Sequence, residues 1–227
     1  MEGVVPMKTD RLRAVLSLLC SLAVIGLTAV SLAVFFLRSG EGNMAVRGVL
    51  AFRYFTVDSN ILAAVAGIFV LREALVSLRG AQFVLPRRVQ LIKFVGTGAV
   101  GLTFTVVMVF LGPLYGYKSM FRGMNLWLHL INPVLAMLSF LLLERGAPLK
   151  KRDLLWGLLP VVVYGLVYLV QVVVTKRWPD FYFFNRNGQW YLSFAAVLTG
   201  AALLDAALRL GHNAVNKKTS TYKERSK

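Results

Sequence analysis

The sequence predicts an all-α integral membrane bundle of six transmembrane helices with both termini in the cytoplasm. Three observations carry that reading. The 227 residues are 57% hydrophobic and only 16% charged, far from the balance of a soluble domain. Six stretches, 14–37, 49–71, 91–111, 125–143, 154–174 and 190–210, reach the roughly 20 mostly apolar residues that cross a bilayer core. With the N-terminus inside, 18 of the 26 Lys and Arg residues fall on the cytoplasmic side, as the positive-inside rule demands.

The first span, 14–37, follows Lys8, Arg11 and Arg13 and so resembles the start of a signal peptide. It is too long for a signal h-region and no clear small-residue cleavage site follows, so it reads as a retained helix. Cys20, the sole cysteine, lies within it and reads as a packing residue. With one cysteine and two histidines there is no intramolecular disulfide and no ligand set for a metal, and no cofactor is expected.

The second span, 49–71, contains a polar knot, Arg53-Tyr54-Phe55-Thr56-Val57-Asp58-Ser59-Asn60. Polar groups are costly in hydrocarbon and normally mark a bundle interior or a functional site. At helical spacing Thr56, Ser59 and Asn60 share a face with Phe52 and Ala63, whereas Asp58 sits roughly 200° around from Thr56. Asp58 reads as a partner for Arg53 or a loop cation near the surface.

The third span, 91–111, carries Gly96-Thr97-Gly98-Ala99-Val100-Gly101, which matches the dinucleotide-binding spacing of glycines. That pattern has meaning only between a strand and a helix. Inside an apolar span it reads as small residues that let helices approach closely. Turn residues at 112–117 end this span.

The fourth span, 125–143, opens with a second polar site in which Asn125, His129, Asn132 and Pro133 share a face. In the expected topology the second and fourth spans run in the same direction. Thr56 lies eight residues beyond Gly48 and His129 five beyond Met124, about 12 Å and 8 Å below the outer surface. The two are therefore within reach of one another. A hydroxyl becomes a nucleophile when an adjacent imidazole takes its proton. The same imidazole then protonates a leaving group. Asn60, Asn125 or Asn132 would donate to a developing oxyanion or fix the imidazole tautomer. Spacing does not separate Thr56 from Ser59 as the nucleophile. The bland counterpart is that the hydroxyls bond to carbonyls one turn back and the Asn side chains clamp helices together.

Span 154–174 is followed by an elaborate loop, 176–189, rich in aromatic residues: Trp178, Phe181, Tyr182, Phe183 and Phe184. Such rings suit either an interfacial belt or a lid over a cavity. Span 190–210 completes a transmembrane domain over 1–212. His212 reads as solvated, and residues 213–227 as a basic disordered tail. The net charge of +16 is spread over the inner loops and the tail, where it would attract anionic lipid head groups; nucleic acid is not an expected partner. The sequence says nothing of oligomeric state.

Two segments resemble a known family. Phe52-Arg-Tyr-Phe-Thr-Val-Asp-Ser-Asn-Ile-Leu62 is similar to the F-x-Y-F-T-x-x-S-N-x-L signature of the androgen-induced-gene-like multi-pass membrane threonine hydrolases. The family includes the androgen-dependent regulator of tissue factor pathway inhibitor and microbial relatives. Leu128-His-Leu-Ile-Asn-Pro133 resembles its H-x-x-x-P segment. The resemblance implies a lipid esterase with Thr56 as nucleophile and His129 as base. In the family's animal members the substrates are fatty acid esters of hydroxy fatty acids. Ser59, Asn60, Asn125, Asn132 and Asp58 are the candidates for substrate contact or oxyanion stabilisation; Asp58 departs from the neutral or apolar residue expected at its motif position. The expected setting is the plasma membrane, with the site toward the outer leaflet and its lipid ester drawn from the bilayer. The competing class is a non-enzymatic transporter or small-molecule binding bundle using the same polar cavity; neither inverted repeats nor paired broken helices favour it.

Overall fold

A long apolar run satisfies its backbone groups without water only by coiling into a helix. The computed structural model describes residues 8–40 and 44–225, and among these there is no strand. Five helices are long and apolar enough to cross a membrane: α1 (Thr9–Leu37), α2 (Phe55–Leu78), α3 (Arg87–Tyr115), α5 (Lys151–Val174) and α6 (Trp190–Lys217). A shorter apolar helix, α4 (Trp127–Leu143), lies between α3 and α5 in the chain.

The helices overrun the expected spans because hydrogen bonding does not stop where hydrocarbon does. Thus α6 continues through His212, and α3 begins four residues before the predicted Leu91. The second span departs the other way. Residues Gly48–Arg53 form a tight turn of 3₁₀ helix, Tyr54 is extended (φ −103°, ψ 122°), and α2 starts only at Phe55. Thr56 therefore sits on the first turn of its helix rather than two turns in.

α3 is the hub. It packs against α2, α4, α5 and α6. Its apolar window is 61% buried, against 17–33% for the other four long helices. The small residues of its centre explain this. A Cβ at Gly96 would stand 3.0 Å from the Leu62 carbonyl oxygen, and one at Gly101 would stand 3.0 Å from Leu204. At Gly98 it would run into the Asp205 carboxylate, which Gly157 of α5 approaches from the other side. Asp205 is only 2% exposed, and its Oδ2 has no hydrogen-bond partner among the described residues.

Several helices contain a widened π turn. In α4 the turn is Trp127–Ile131, where the N–H of Asn132 reaches back five residues to the Trp127 carbonyl. Pro133 supplies the cause, since it has no N–H for the carbonyl of His129. α3 repeats the device at Val107–Leu111, just before Pro113. Such π turns are frequent at functional positions.

At the end of the bundle remote from Thr56, polar side chains are knitted together. The Lys93 ammonium lies 3.3 Å from Glu144 and donates to Ser139, while Ser17 donates to Glu144. His212 does not sit in solvent as expected. It is 1% exposed, 2.9 Å from the Gln90 amide nitrogen and stacked on Phe140. The continued helix carries it back under the bundle.

Two glycines separate packing from intrinsic helix preference. Gly96→Val should lower the melting temperature in detergent through about 1–3 kcal/mol of overpacking. Gly26→Ala, which meets nothing within 4 Å, should leave stability unchanged or raise it by up to about 1 kcal/mol. Thermal unfolding of both variants checks the pair.

Candidate active site

Thr56 and His129, 73 residues apart in sequence, are brought together by α2 and α4. The Thr56 Oγ1 lies 3.3 Å from His129 Nε2, with both residues buried. The other ring nitrogen, Nδ1, is 2.7 Å from the main-chain carbonyl of Met120. A carbonyl oxygen only accepts, so Nδ1 carries the proton in the neutral ring and Nε2 is left as an acceptor. The threonine hydroxyl is then the donor to Nε2. This is the hydrogen-bond polarity that a nucleophile and its base require.

A clamp of asparagines fixes that contact. The amide of Asn60 donates to the carbonyl of Thr56 (2.7 Å) and to the carbonyl of Leu128 (3.0 Å). It thereby ties the main chain of the threonine to the residue preceding His129. Asn132 donates to Asn60 Oδ1 (2.9 Å) and to Thr28 Oγ1 (3.1 Å), adding α1 to the network. Both amide hydrogens of each side chain are thus spent on protein acceptors. In this arrangement neither Asn60 nor Asn132 has a donor left for an oxyanion.

The other sequence candidates lie apart from the imidazole contact. Ser59 donates toward the Thr56 carbonyl (3.1 Å) and shares a 2.8 Å hydrogen bond with Thr103. Asn125 is fully buried at the start of the α4 segment, four residues before His129. Asp58 is half-buried and forms no ion pair among the described residues. The expected Arg53 partner is engaged elsewhere: its guanidinium lies over the Trp178 ring, 5.8 Å from the centroid, and its carbonyl accepts from Tyr164.

Two cavities meet at Thr56. One, about 420 Å³, is walled by α3, α5 and α6 and is lined almost entirely by apolar side chains such as Leu102, Val106, Val161 and Val197. The other, about 310 Å³, contains His129 and is lined by Met44, Tyr54, Tyr115, Met120 and Phe181. Among the described residues, only Thr56, Leu111 and Tyr182 line both. Each volume is in the range of small-molecule sites.

Tyr182 had no individual signal in the sequence. The 176–189 loop folds over the end of the bundle, and Asp180 organises it. One carboxylate oxygen accepts from the Phe184 N–H and the Tyr168 hydroxyl, the other from the Asn185 N–H. The Tyr182 hydroxyl then accepts from the Phe55 N–H at 3.2 Å, one residue from Thr56. Burial pushes the phenols of Tyr182 and Tyr54 above their ordinary values, so both stay protonated at neutral pH. The cluster of aromatics in that loop was the available hint, and Tyr182, Phe183 and Phe184 line the larger cavity.

The asparagine clamp is open to a thermodynamic cycle. Asn60→Ala and Asn132→Ala should each lower stability in detergent, and the double variant should fall short of their sum by about 0.5–2 kcal/mol. Denaturation of the four proteins measures that coupling. No family model matches the chain, and no curated protein or solved structure matches it either.

Proposed function

We propose that the protein is an integral membrane lipid esterase in which Thr56 is the nucleophile and His129 the general base. The observation that carries this is the contact between the Thr56 hydroxyl and an imidazole nitrogen left free to accept, at the junction of two cavities. The hydroxyl oxygen attacks the ester carbonyl carbon while Nε2 takes its proton. As the tetrahedral adduct collapses, the carbon–alkoxy bond breaks and Nε2 returns the proton to the leaving oxygen. Water then adds to the acyl-threonine, giving a proton to Nε2, and the threonine oxygen recovers it as the acid departs.

Developing negative charge needs donors that are not already committed. Thr56 lies on the first turn of α2, where the helix dipole is positive, although the N–H groups of Phe55, Val57 and Asp58 in that turn are already bonded, to the Tyr182 hydroxyl and the Tyr54 carbonyl. The Tyr182 phenol stands at the same junction. The apolar cavity wall suits a fatty acyl ester better than a hydrophilic one. The resemblance of Phe52–Leu62 and Leu128–Pro133 to the threonine hydrolase signatures supports the same residue roles. The topology that goes with this reading has six spans, cytoplasmic termini and the Thr56 end at the outer leaflet of the plasma membrane. Fatty acid esters of hydroxy fatty acids are the first substrates to try.

Labelling of the purified protein with a fluorophosphonate probe tests the assignment. Wild type, Ser59→Ala and Thr56→Ser should label, whereas Thr56→Ala and His129→Ala should not. Ester turnover should fall by about 10³-fold or more in those last two variants. Absence of labelling and turnover in well-folded wild type would overturn the esterase and leave a transporter or binding bundle. Full activity in Thr56→Ala would overturn the choice of nucleophile.

A further inference from the structure

The two cavities differ in one respect that has chemical weight. Thr56 lines both, but His129 lines only the smaller one. In acyl transfer the imidazole must reach the leaving oxygen in order to protonate it. The alcohol portion of an ester bound at Thr56 must therefore lie on the His129 side. The remaining direction open from the carbonyl carbon leads into the larger, apolar cavity. We propose, resting on the esterase reading, that the α3–α5–α6 cavity is the acyl-chain subsite, the His129 cavity is the alcohol and water subsite, and Gly200 sets the acyl length accepted.

The geometry of the larger cavity supports a length limit. Its α6 wall runs from Ser193 to Gly200 and its α3 wall from Leu102 to Leu111. At 1.5 Å per residue these walls are about 10–13 Å long, enough for an extended chain of roughly eight to ten carbons. Leu102 and Val161 of that lining pack with Ala201 in a buried cluster, which bounds the cavity on that side. Entry need not pass through the lid. Val109 and Phe110, on the α3 wall, are 73% and 47% exposed on the flank of the bundle, so a chain can slide in sideways from the bilayer.

Gly200 is the residue at which this space can be altered with least disturbance. It lines the cavity, and a Cβ built there meets nothing within 4 Å. Gly165, on the facing helix, offers no such room, because a Cβ there would collide with the Phe194 ring. A leucine at 200 takes up acyl space from the α6 wall, whereas Thr56 and His129 are held on α2 and α4.

The experiment is a kcat/KM profile of purified wild type, Gly200→Leu and Gly200→Ala on p-nitrophenyl acetate, butyrate, octanoate, decanoate and dodecanoate. Fluorophosphonate labelling of each protein serves as the check that the nucleophile is intact. Wild type should improve with acyl length up to decanoate and then level or fall. Gly200→Leu should lose about tenfold or more on octanoate and decanoate while butyrate stays within about twofold, a difference of the size apolar pockets give. Gly200→Ala should shift in the same direction by less. A second series, butyrate esters of increasingly bulky alcohols, should be indifferent to either substitution. Labelled variants with the wild-type acyl profile, or a change confined to the alcohol series, would overturn the subsite assignment while the esterase reading stands. A wild type that neither labels nor turns over any ester would overturn that reading itself.

Discussion

The arrangement depends on one side chain, Asn60, whose amide holds the carbonyls of Thr56 and Leu128 at once. Helices α2 and α4 could slide past each other by a turn and still bury apolar surface, because lipid tails solvate Leu and Val as well as protein does. A forked donor with two fixed acceptors does not permit that slide. It selects the single register in which the hydroxyl of the residue at one carbonyl meets the imidazole next to the other. Asn132 and Thr28 extend the constraint to α1, so three helices are indexed by one chain of hydrogen bonds. Apolar packing supplies most of the cohesion; this network supplies the alignment.

Around that register, local backbone irregularity does the fine placement. Pro133 opens the turn that holds His129, and the 3₁₀ turn before Phe55 delivers Thr56 at a helix start rather than in mid-helix. Glycines in α3 bring the bundle close at its centre, while α5 and α6 leave a space toward Thr56 that they do not fill. Close packing in one layer and a cavity in the next are two outcomes of the same small-residue economy. Gly96 is pressed against α2, and Gly200 faces emptiness.

Much of this was legible in the sequence, for reasons that can be named. Hydropathy reports helices directly in a chain with so few charges, and polar residues within apolar runs reported Thr56, His129, Asn60 and Asn132 as interior groups. What hydropathy cannot report is a change of helix type among apolar residues. Val49, Leu50 and Phe52 are as apolar as the span they precede, so the second span was expected to begin there, and the matched depths rested on that start. The asparagines fit oxyanion donors and clamps equally well until their acceptors are counted, and those acceptors are main-chain and side-chain oxygens distant in sequence. Met120 is the sharpest case, since its part is played by a carbonyl that every residue possesses. His212 escapes hydropathy because a basic tail implies solvent, whereas the helix does not end where the hydrophobicity does.

The carbonyl of Met120 has a consequence for how such a site ages. In a hydrolase whose histidine leans on an aspartate, the third member is a codon and is lost by a single substitution. Here any residue at 120 brings the same acceptor, and the imidazole is oriented by the course of the chain between Pro113 and Gly123. The acceptor itself is therefore indifferent to which side chain stands at 120, although that side chain is buried against Val107 and Leu111, and one inserted residue would rotate the carbonyl away from Nδ1. A neutral acceptor also spares the interior a buried anion that would need its own compensation in a low-dielectric setting. An acceptor that survives a change of side chain but not a change of chain length is the signature that this geometry would leave.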